Sequence, residues 1–416
     1  MKRRRFLMTS GGLLLSAGAG VLHAASRLRV GIIGGGIVGA SIAFNLAEAG
    51  AEVTVFEKNQ PAKGATEKSF AWVNGFTNDP HYRSVRLKSL FAYREIDARL
   101  QLGITWGGYL TWARGGADLA TLRSDLADFA NTPHPLHIVD ADEFARLSPL
   151  TTPGPFEMAT FSPIDGQLDP VWVTHRFLEG AMGHGAKVVY PCEVTAPIVR
   201  GRRLKGVQTS RGEFRLDRLI LAGGTETAQL AGLFNFKLPM KHDPGILVHT
   251  MPLPDITKII HGGPNMLSFK QMSNGCLVGT DATSPPDIPA HAGIRSGAAD
   301  FPEPIRAMHG HRIIDRIATV LPAARNATYN KLTLGYRPVP LDGLPVVGAL
   351  PDSPDVYVAV MHSGVTLAPI MGRYVARELI EGASVADLAP YRPTRFAATT
   401  ATTPELESAV ASPRVA

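Results

Sequence analysis

The spacing of apolar residues changes twice between residues 28 and 59, and the changes predict three consecutive elements. Leu28 to Ile33 form a short apolar run with β-branched residues, which is typical of a buried strand. From Ile37 to Ala49 the apolar residues recur at helical spacing, whereas Glu52 to Phe56 alternate and are rich in valine. The pattern predicts a strand, a glycine-rich turn, a helix and a second strand, which together form a βαβ unit of about thirty residues.

The turn between the first strand and the helix contains a glycine motif. Gly34, Gly36 and Gly39 fit G-x-G-x-x-G, in which the glycines permit a tight turn, a close approach to a pyrophosphate and close packing of helix on strand. The N-terminus of the helix then presents N–H groups and a positive dipole end to phosphates. Glu57 ends the second strand, where a carboxylate accepts the ribose hydroxyls and disfavours NADP. The unit predicts a dinucleotide site, and the motif alone does not separate NAD from FAD.

Three further patterns lie in the second half of the chain. Thr366 to Ile380 have apolar residues at helical spacing, and Gly364 opens this segment. Residues 270–279 predict a hairpin with Ser273-Asn274-Gly275 at its turn, and residues 303–320 predict another helix. Together with GITWGGYLTWA at residues 103–113 and ILVHTMPLP at residues 246–254, the hairpin favours an antiparallel sheet that covers the dinucleotide site.

The composition argues against a nucleic-acid partner and against a metal site. The 416 residues suit two domains, and the 45% hydrophobic and 19% charged residues are typical of a globular protein. Of the formal charge of +6, residues 2–5 supply four positive charges, and no basic stripe follows them. Cys192 and Cys276 belong to no CxxC or His/Cys cluster, which favours two structural thiols and no metal.

Residues 1–26 predict an export signal. They begin with a basic stretch, continue with apolar residues from Gly11 to Leu22 and end in small residues. The apolar part is short and rich in glycine, so we expect no stable membrane span. Residues 3–7, with the sequence RRRFL, resemble the twin-arginine motif. We therefore expect a periplasmic protein exported by that pathway; an ordinary secretory signal and an uncleaved anchor are the alternatives.

Four segments resemble the superfamily of FAD-dependent oxidoreductases that contains D-amino acid oxidase, sarcosine oxidase and glycine oxidase. The first is the glycine motif ending in VFEKN, and the second is GATEKSFAWVNG, from Gly64 to Gly75. The third runs from DGQLDP through CEVTAPIV to RLILAGG, and the fourth is LGYRPVPLDGLPVVG followed by VYVAVMHSGVTLAP. The resemblance implies FAD as the cofactor and a two-domain α/β fold, with a Rossmann-like FAD-binding domain made of discontinuous segments and an antiparallel-sheet substrate domain.

The resemblance also divides the chain. It assigns residues 28–80, 155–235 and 332–390 to the FAD-binding domain and residues 81–154 and 236–331 to the substrate domain. Residues 394–416, rich in alanine and threonine, are expected to form a disordered tail.

The motifs together predict a set of cofactor-binding residues. By the resemblance, the backbone at Val194 meets the adenine, and the helix that begins at Gly364 directs its positive end at a flavin edge that becomes negative on reduction. Residues that attach flavin covalently in some relatives are missing, so we expect non-covalent FAD. The predicted residues are Gly34, Gly36, Ile37, Val38, Gly39, Glu57, Lys58, Gly64, Ala65, Thr66, Val194, Gly223, Gly224, Gly364, Val365 and Thr366.

Arg337 and His362 are the candidate catalytic residues. The resemblance implies that Arg337, in GYRP, binds a substrate carboxylate, which suits the planar fork of a guanidinium. The alternative is an ion pair with Asp342 or another acid. His362 lies either beside the flavin or at the cap of the last helix. Candidate pocket walls, for which core packing is the alternative, are Trp72, Trp106, Tyr109, Trp112 and Tyr336, with Lys68 beside the flavin.

The resemblance implies an enzyme that oxidises an amine or amino acid, of the D-amino acid or N-substituted glycine type, by hydride transfer to flavin N5. Two alternatives stay open: a 2-hydroxy acid or polyol dehydrogenase, and a non-catalytic binding protein with the FAD fold. A basic residue that follows the HSG segment in some relatives is missing, since Ala368 and its neighbours are apolar. This favours a quinone or a carrier protein over oxygen as the electron acceptor.

Overall fold

Short strands alternate with helices along the chain and assemble into two large sheets. The computed structural model describes residues 27–281, 294 and 300–397. The strands are β1 (Arg29–Ile33), β2 (Glu52–Phe56), β3 (Trp72–Val73), β4 (Tyr109–Ala113), β5 (His137–Val139), β6 (Met158–Ser162), β7 (Gly166–Gln167), β8 (Lys187–Val189), β9 (Val194–Arg200), β10 (Arg203–Thr209), β11 (Gly212–Arg215), β12 (Arg218–Leu221), β13 (Met240–Pro252), β14 (Ile260–Gly263), β15 (Leu267–Gln271), β16 (Cys276–Thr280), β17 (Tyr329–Pro340), β18 (Val346–Leu350) and β19 (Ser353–Val360). The α-helices are α1 (Ile37–Glu48), α2 (Pro80–Leu100), α3 (Gly116–Phe129), α4 (Ala141–Leu147), α5 (Pro170–Gly183), α6 (Thr227–Gly232), α7 (Glu303–Ala318), α8 (Gly364–Glu381) and α9 (Thr394–Ala397).

The predicted βαβ unit lies at the centre of a six-stranded sheet with the order β18-β19-β12-β1-β2-β8. From β19 to β8 the strands run parallel, and β18 pairs antiparallel with β19 at the edge. Helices α1, α5 and α8 cover one face, and the three-stranded sheet β11-β10-β9 packs on the other. Because both faces are covered, Val30 and Ile32 are completely buried beneath the helices, and Leu219 and Leu221 are completely buried on the opposite face.

The second large sheet has eight strands in the order β17-β13-β16-β15-β14-β4-β6-β5 and is antiparallel except at the β14–β4 pair. Its longest ladder joins β13 to β17, from the pair Met240 and Pro340 to the pair Thr250 and Tyr329. Helix α7 packs on this sheet through Ile313, Ile314 and Ile317, which belong to a second hydrophobic core. The predicted fold class, a Rossmann-like α/β domain beside an antiparallel sheet, is confirmed.

Several local predictions are also confirmed. β15 and β16 form the predicted hairpin, and Gly275 at its turn has φ +84°, a left-handed conformation that suits glycine. The helices predicted at residues 303–320 and 366–380 are α7 and α8.

Some elements pack across the predicted domain boundaries, which stay a prediction. β6 lies in the predicted FAD-binding segment 155–235 but pairs with β4 inside the eight-stranded sheet. β17 extends into the predicted segment 332–390 and pairs with β13 of the same sheet as far as Pro340. Helix α2, assigned by sequence to the substrate domain, packs Val85, Leu90 and Ile96 into the core of the six-stranded sheet. Thr394–Ala397 form a short helix instead of the start of the tail. The predicted signal, residues 1–26, and residues 398–416 of the tail lie outside the described residues.

Helices α1 and α8 pack closely because Gly372 faces α1. A Cβ atom at position 372 would lie 2.5 Å from both Ser41 Oγ and Asn45 Nδ2, and 2.7 Å from the Ser41 carbonyl oxygen. Only a residue without a side chain fits this crossing without moving one helix away from the other.

We expect Gly372→Ala to destabilise the protein by about 1–3 kcal/mol, the usual cost of inserting a methyl group into a tight contact. Gly183→Ala is the matched control, since a Cβ at this helical position would meet no atom within 4 Å, and alanine favours the helix. Urea unfolding of the two variants measures the difference. Equal unfolding midpoints would show that α1 and α8 accommodate the added methyl group without a measurable loss of stability.

Candidate functional site

A cleft of about 960 Å³ lies between the two large sheets. On one side it is lined by loops that follow β1, β2, β12 and β19, at the carboxyl ends of parallel strands, where open α/β sheets bind ligands. On the other side it is lined by residues of β4, β13, β14 and β17. The cleft contains every predicted site residue except Gly39 and Trp106.

The glycine motif shapes the floor of the cleft. Gly34 has φ +112°, and a Cβ there would lie 2.4 Å from the Ala222 carbonyl oxygen. A Cβ at Gly39 would lie 2.1 Å from the Gly34 carbonyl oxygen, so Gly39 allows helix and strand to pack and does not reach the cleft. Gly36 is the N-cap of α1 and provides no side-chain cap, and the Ile37 N–H donates to Thr66 Oγ1 at 3.1 Å.

Glu57 lies at the end of β2, where the sequence predicts it. Its Oε2 atom accepts the Gly35 N–H at 2.8 Å and its Oε1 atom accepts the Asn59 N–H at 2.9 Å. These bonds fix the carboxylate in the cleft wall. Lys58 is half-exposed and pairs with Glu226 at 2.5 Å. The remaining cleft-lining residues of the predicted cofactor set are Val38, Gly64, Ala65, Val194, Gly223, Gly224, Gly364, Val365 and Thr366.

The N-terminus of α8 opens onto the same cleft as that of α1. A Cβ at Gly364 would lie 3.1 Å from Val38 Cγ2, so the two helix N-termini are neighbours. The Ser363 hydroxyl occupies the N-cap position of α8 but does not cap the helix. Thr366 Oγ1 donates to the Trp72 carbonyl oxygen at 3.0 Å and ties α8 to the cleft wall. Two positive dipole ends therefore face one space, which favours an anionic ligand.

Arg337 lies on β17 and pairs with Asp243, directly opposite on β13. Its Nη2 atom donates to Asp243 Oδ1 at 2.6 Å. Burial lowers the pKa of Arg337 while Asp243 raises it, and burial raises the pKa of Asp243 against the opposing effect of Arg337. The sequence left open an ion pair of Arg337 with Asp342 or another acid. The pair is made with another acid, Asp243, while Asp342 pairs with Arg395.

His362 lines the cleft between two arginines. Burial lowers its pKa to about 3, and the positive charges of Arg337 and Arg86 add to this effect. Its Nδ1 atom lies 3.2 Å from Ser363 Oγ. The imidazole is therefore neutral at pH 7 and is a poor proton acceptor.

The aromatic candidates divide between the cleft and the core. The rings of Trp72 and Tyr109 lie 4.3 Å apart and line the cleft, and Tyr336 lines it with its hydroxyl donating to the Ile294 carbonyl oxygen at 2.8 Å. Trp112 contributes to the lining but is 1% exposed and belongs to the second core. Trp106 does not line the cleft and lies under Arg94 instead. Lys68 lines the cleft, with its side chain packed against Gly335.

Two buried charged residues near the cleft were not identified from the sequence. Arg86 of α2 lines the cleft although it is 3% exposed. Asp165 is fully buried behind Trp72, and it accepts the Trp72 Nε1–H and the Ser162 hydroxyl, each at 2.7 Å. Burial raises the pKa of Asp165 to about 7, against the opposing effects of these hydrogen bonds and of Arg86. No local pattern marks Arg86. Asp165 opens the DGQLDP segment, but its bond to Trp72 and the bond from Arg86 to Ser363 join distant segments and could not be predicted.

Residues 29–378 match the family described as FAD dependent oxidoreductase, and the chain belongs to this family. Mouse mitochondrial dimethylglycine dehydrogenase is 24% identical over 398 residues, which cover 90% of this chain and 45% of that protein. The chain thus spans less than half of this relative. Glycine oxidase of Geobacillus kaustophilus is 25% identical over 387 residues, which cover 89% of this chain and 97% of that protein.

Solved structures show the same fold. L-proline dehydrogenase from P. horikoshii superposes with a TM-score of 0.77 at 23% identity, covering 89% of this chain and 98% of that one. Glycine oxidase from Bacillus cereus superposes with a TM-score of 0.75 at 23% identity, covering 88% of this chain and 98% of that one. Within the described part of the chain, no helix is long and apolar enough to cross a membrane.

The residues of the cleft fit FAD. The two neighbouring helix N-termini, both without a side-chain cap, suit the pyrophosphate and the electron-rich edge of a reduced flavin. The glycines leave room where a Cβ would meet backbone, and Glu57 stands where a ribose hydroxyl needs an acceptor. Non-covalent attachment stays a prediction.

The raised pKa of Asp165 predicts a pH-dependent stability. Because the folded state holds this proton more tightly than the unfolded chain, the contribution is fully present below about pH 4 and is lost as the pH rises through about 7. The loss amounts to at most about 1.4 kcal/mol per pH unit. Asp165→Asn cannot ionise, so the stability of the wild type relative to this variant should fall between pH 4 and 7.

Urea unfolding across this pH range measures the difference. Asp352→Asn is the control, since Asp352 is 89% exposed, and its difference from the wild type should stay constant. A constant difference for Asp165→Asn as well would show that Asp165 ionises normally inside the protein.

Proposed function

We propose that this chain oxidises the carbon–nitrogen bond of a small amino acid or an N-substituted glycine. The observation that carries the proposal is Arg337, a guanidinium held in the wall of the cleft beside two helix N-termini. Relatives named for dimethylglycine, glycine and 4-methylaminobutanoate support this substrate class, since each of these molecules carries an amine and a carboxylate.

The chain's own residues supply binding and orientation. When bound, FAD would supply the acceptor for a hydride from the substrate carbon that bears the amine. Arg337 binds the carboxylate, and its ion pair with Asp243 sets the direction of the guanidinium. The aromatic wall formed by Trp72, Tyr109 and Tyr336 excludes water and limits the size of the substrate. Because the pKa of His362 is lowered, the amine proton leaves to water or to another group and not to this imidazole.

We also propose that the protein is exported by the twin-arginine pathway to the periplasm and passes its electrons to a quinone or a carrier protein. Residues 3–7 support the export route. The residues around Ala368 are apolar and lack the basic residue of some relatives, which supports a quinone or a carrier protein over oxygen. An acceptor close to a membrane suits an exported dehydrogenase.

Anaerobic bleaching of the flavin absorbance tests the substrate class. We expect bleaching by D-amino acids or N-methylglycines, with release of ammonia or an amine. Bleaching by 2-hydroxy acids alone would favour the dehydrogenase alternative. A flavin that no member of these classes reduces would favour a non-catalytic binding protein.

Arg337→Ala should lower kcat/KM for the amino-acid substrate by roughly 10- to 100-fold, because a charged hydrogen bond contributes about 1.5–3 kcal/mol. Arg337→Lys should restore only part of this loss, since an ammonium cannot form the bidentate fork. Arg395→Ala, which removes the arginine that pairs with Asp342, is the matched control and should leave kcat/KM unchanged.

An amine that lacks the carboxylate separates binding from folding. The wild type should oxidise it poorly, and Arg337→Ala should lose little more. Equal losses on both substrates, or a variant that no longer holds flavin, would show that Arg337 has a structural role through Asp243.

A further inference from the structure

Arg86 is a buried cation whose hydrogen bonds go to neutral oxygens. Its Nε atom donates to the Asn74 carbonyl oxygen at 3.1 Å, Nη2 donates to Asn74 Oδ1, and Nη1 donates to Ser363 Oγ at 2.9 Å. Burying a guanidinium without a carboxylate in direct contact is costly. We therefore expect the charge or the N–H donors of Arg86 to have a function in the cleft that it lines.

Ser363 connects Arg86 to His362. A serine at an N-cap position usually accepts an N–H of its own helix, but the Ser363 hydroxyl does not cap α8. It accepts the Arg86 Nη1–H instead and lies 3.2 Å from His362 Nδ1. A guanidinium can only donate, so the hydroxyl proton is available to the imidazole.

Burial, with the positive charges around His362, keeps the ring neutral. Arg86 faces it from α2 and Arg337 from β17, while Asp243 of β13 pairs with Arg337 and Asp165 acts electrostatically on Arg86. A neutral imidazole has one N–H and one bare nitrogen. If Nδ1 accepts the Ser363 proton, the ring proton is on Nε2.

We propose that Arg86 is a positioning residue which, through Ser363, holds His362 as the tautomer protonated on Nε2, so that the imidazole acts in the cleft as a hydrogen-bond donor and not as a base. The donor suits an oxygen of the flavin or the carboxylate of the substrate. Its use in catalysis rests on the proposed function, but the tautomer itself does not.

The test is the tautomer of His362 in the FAD-loaded full chain, measured with ¹⁵N-labelled histidine by long-range ¹H–¹⁵N correlation. The chain has 13 histidines, and the signals that vanish in His362→Gln identify this one. We expect a single proton on Nε2 from pH 5.5 to pH 9. Addition of acetate should move the Nε2 signal if the acceptor is a carboxylate and should leave it in place if the acceptor is a flavin oxygen.

Two variants, each with a control, test the contributions of Ser363 and Arg86 to the tautomer of His362. Ser363→Ala removes the donor to Nδ1 and should increase the Nδ1-protonated tautomer several-fold, whereas Ser363→Thr keeps the hydroxyl and should retain the wild-type signals. Arg86→Gln removes the donor that holds the Ser363 hydroxyl, so the Nδ1-protonated tautomer should increase, whereas the ring should stay neutral because burial, the largest cause of the lowered pKa, remains. Arg94→Gln, on the exposed face of the same helix, should change nothing.

A proton on Nδ1 in the wild type, an imidazolium at pH 7, or signals unaffected by Ser363→Ala would each overturn the inference. All these readings are taken without a substrate. Failure of the tautomer assignment is therefore distinct from failure of the proposed amino-acid oxidation, which the bleaching experiment measures separately.

Discussion

The close packing of α1 against α8 is the constraint on which the rest of the site depends. Gly372 lets the helices cross without a side chain between them, and Gly364 lies against Val38 where both helices begin. Because the helices are this close at their N-termini, two positive dipole ends open onto one cleft. The position of the cleft, and its suitability for a negatively charged cofactor, follow from this contact more than from any single charged side chain.

Charged residues held away from solvent beside the cleft act electrostatically on a ligand and on nearby titratable groups. Arg86, Arg337 and Asp243 all lie where solvation is poor, and each is held by hydrogen bonds from neighbouring strands or helices. A charge that is buried and fixed in this way acts more strongly on a ligand than the same charge in water. It also shifts the balance of protonation nearby, as the lowered pKa of His362 shows.

Much of the fold could be predicted because its signals are local. The glycine turn, the hairpin at residues 270–279 and the helices beginning near Gly364 and Glu303 each depend on residues close in sequence. The predicted residues that line the cleft were also identified from motifs that are local in sequence. The signal segment, by contrast, lies outside the described residues and stays a prediction.

Other features could not be predicted because they depend on distant segments. Arg337 pairs with Asp243 and not with nearby Asp342, since the register of β13 and β17 brings the first pair together. The bond from Arg86 to Ser363 joins α2 to the start of α8, and no spacing in the sequence reveals it. The packing of α2 on the six-stranded sheet could not be predicted for the same reason, since its apolar residues suit either sheet until the packing partner is known.

The strand order of the six-stranded sheet determines how much of the chain must be synthesised before the cleft can form. β1 is made early, but its neighbour β12 and the next strand, β19, come much later in the chain, and Gly364 later still. A ribosome delivers these segments in sequence, so the cofactor pocket closes only when synthesis is nearly complete. FAD therefore binds when nearly the whole chain has been made, and a chain that ends before Gly364 lacks part of the cleft.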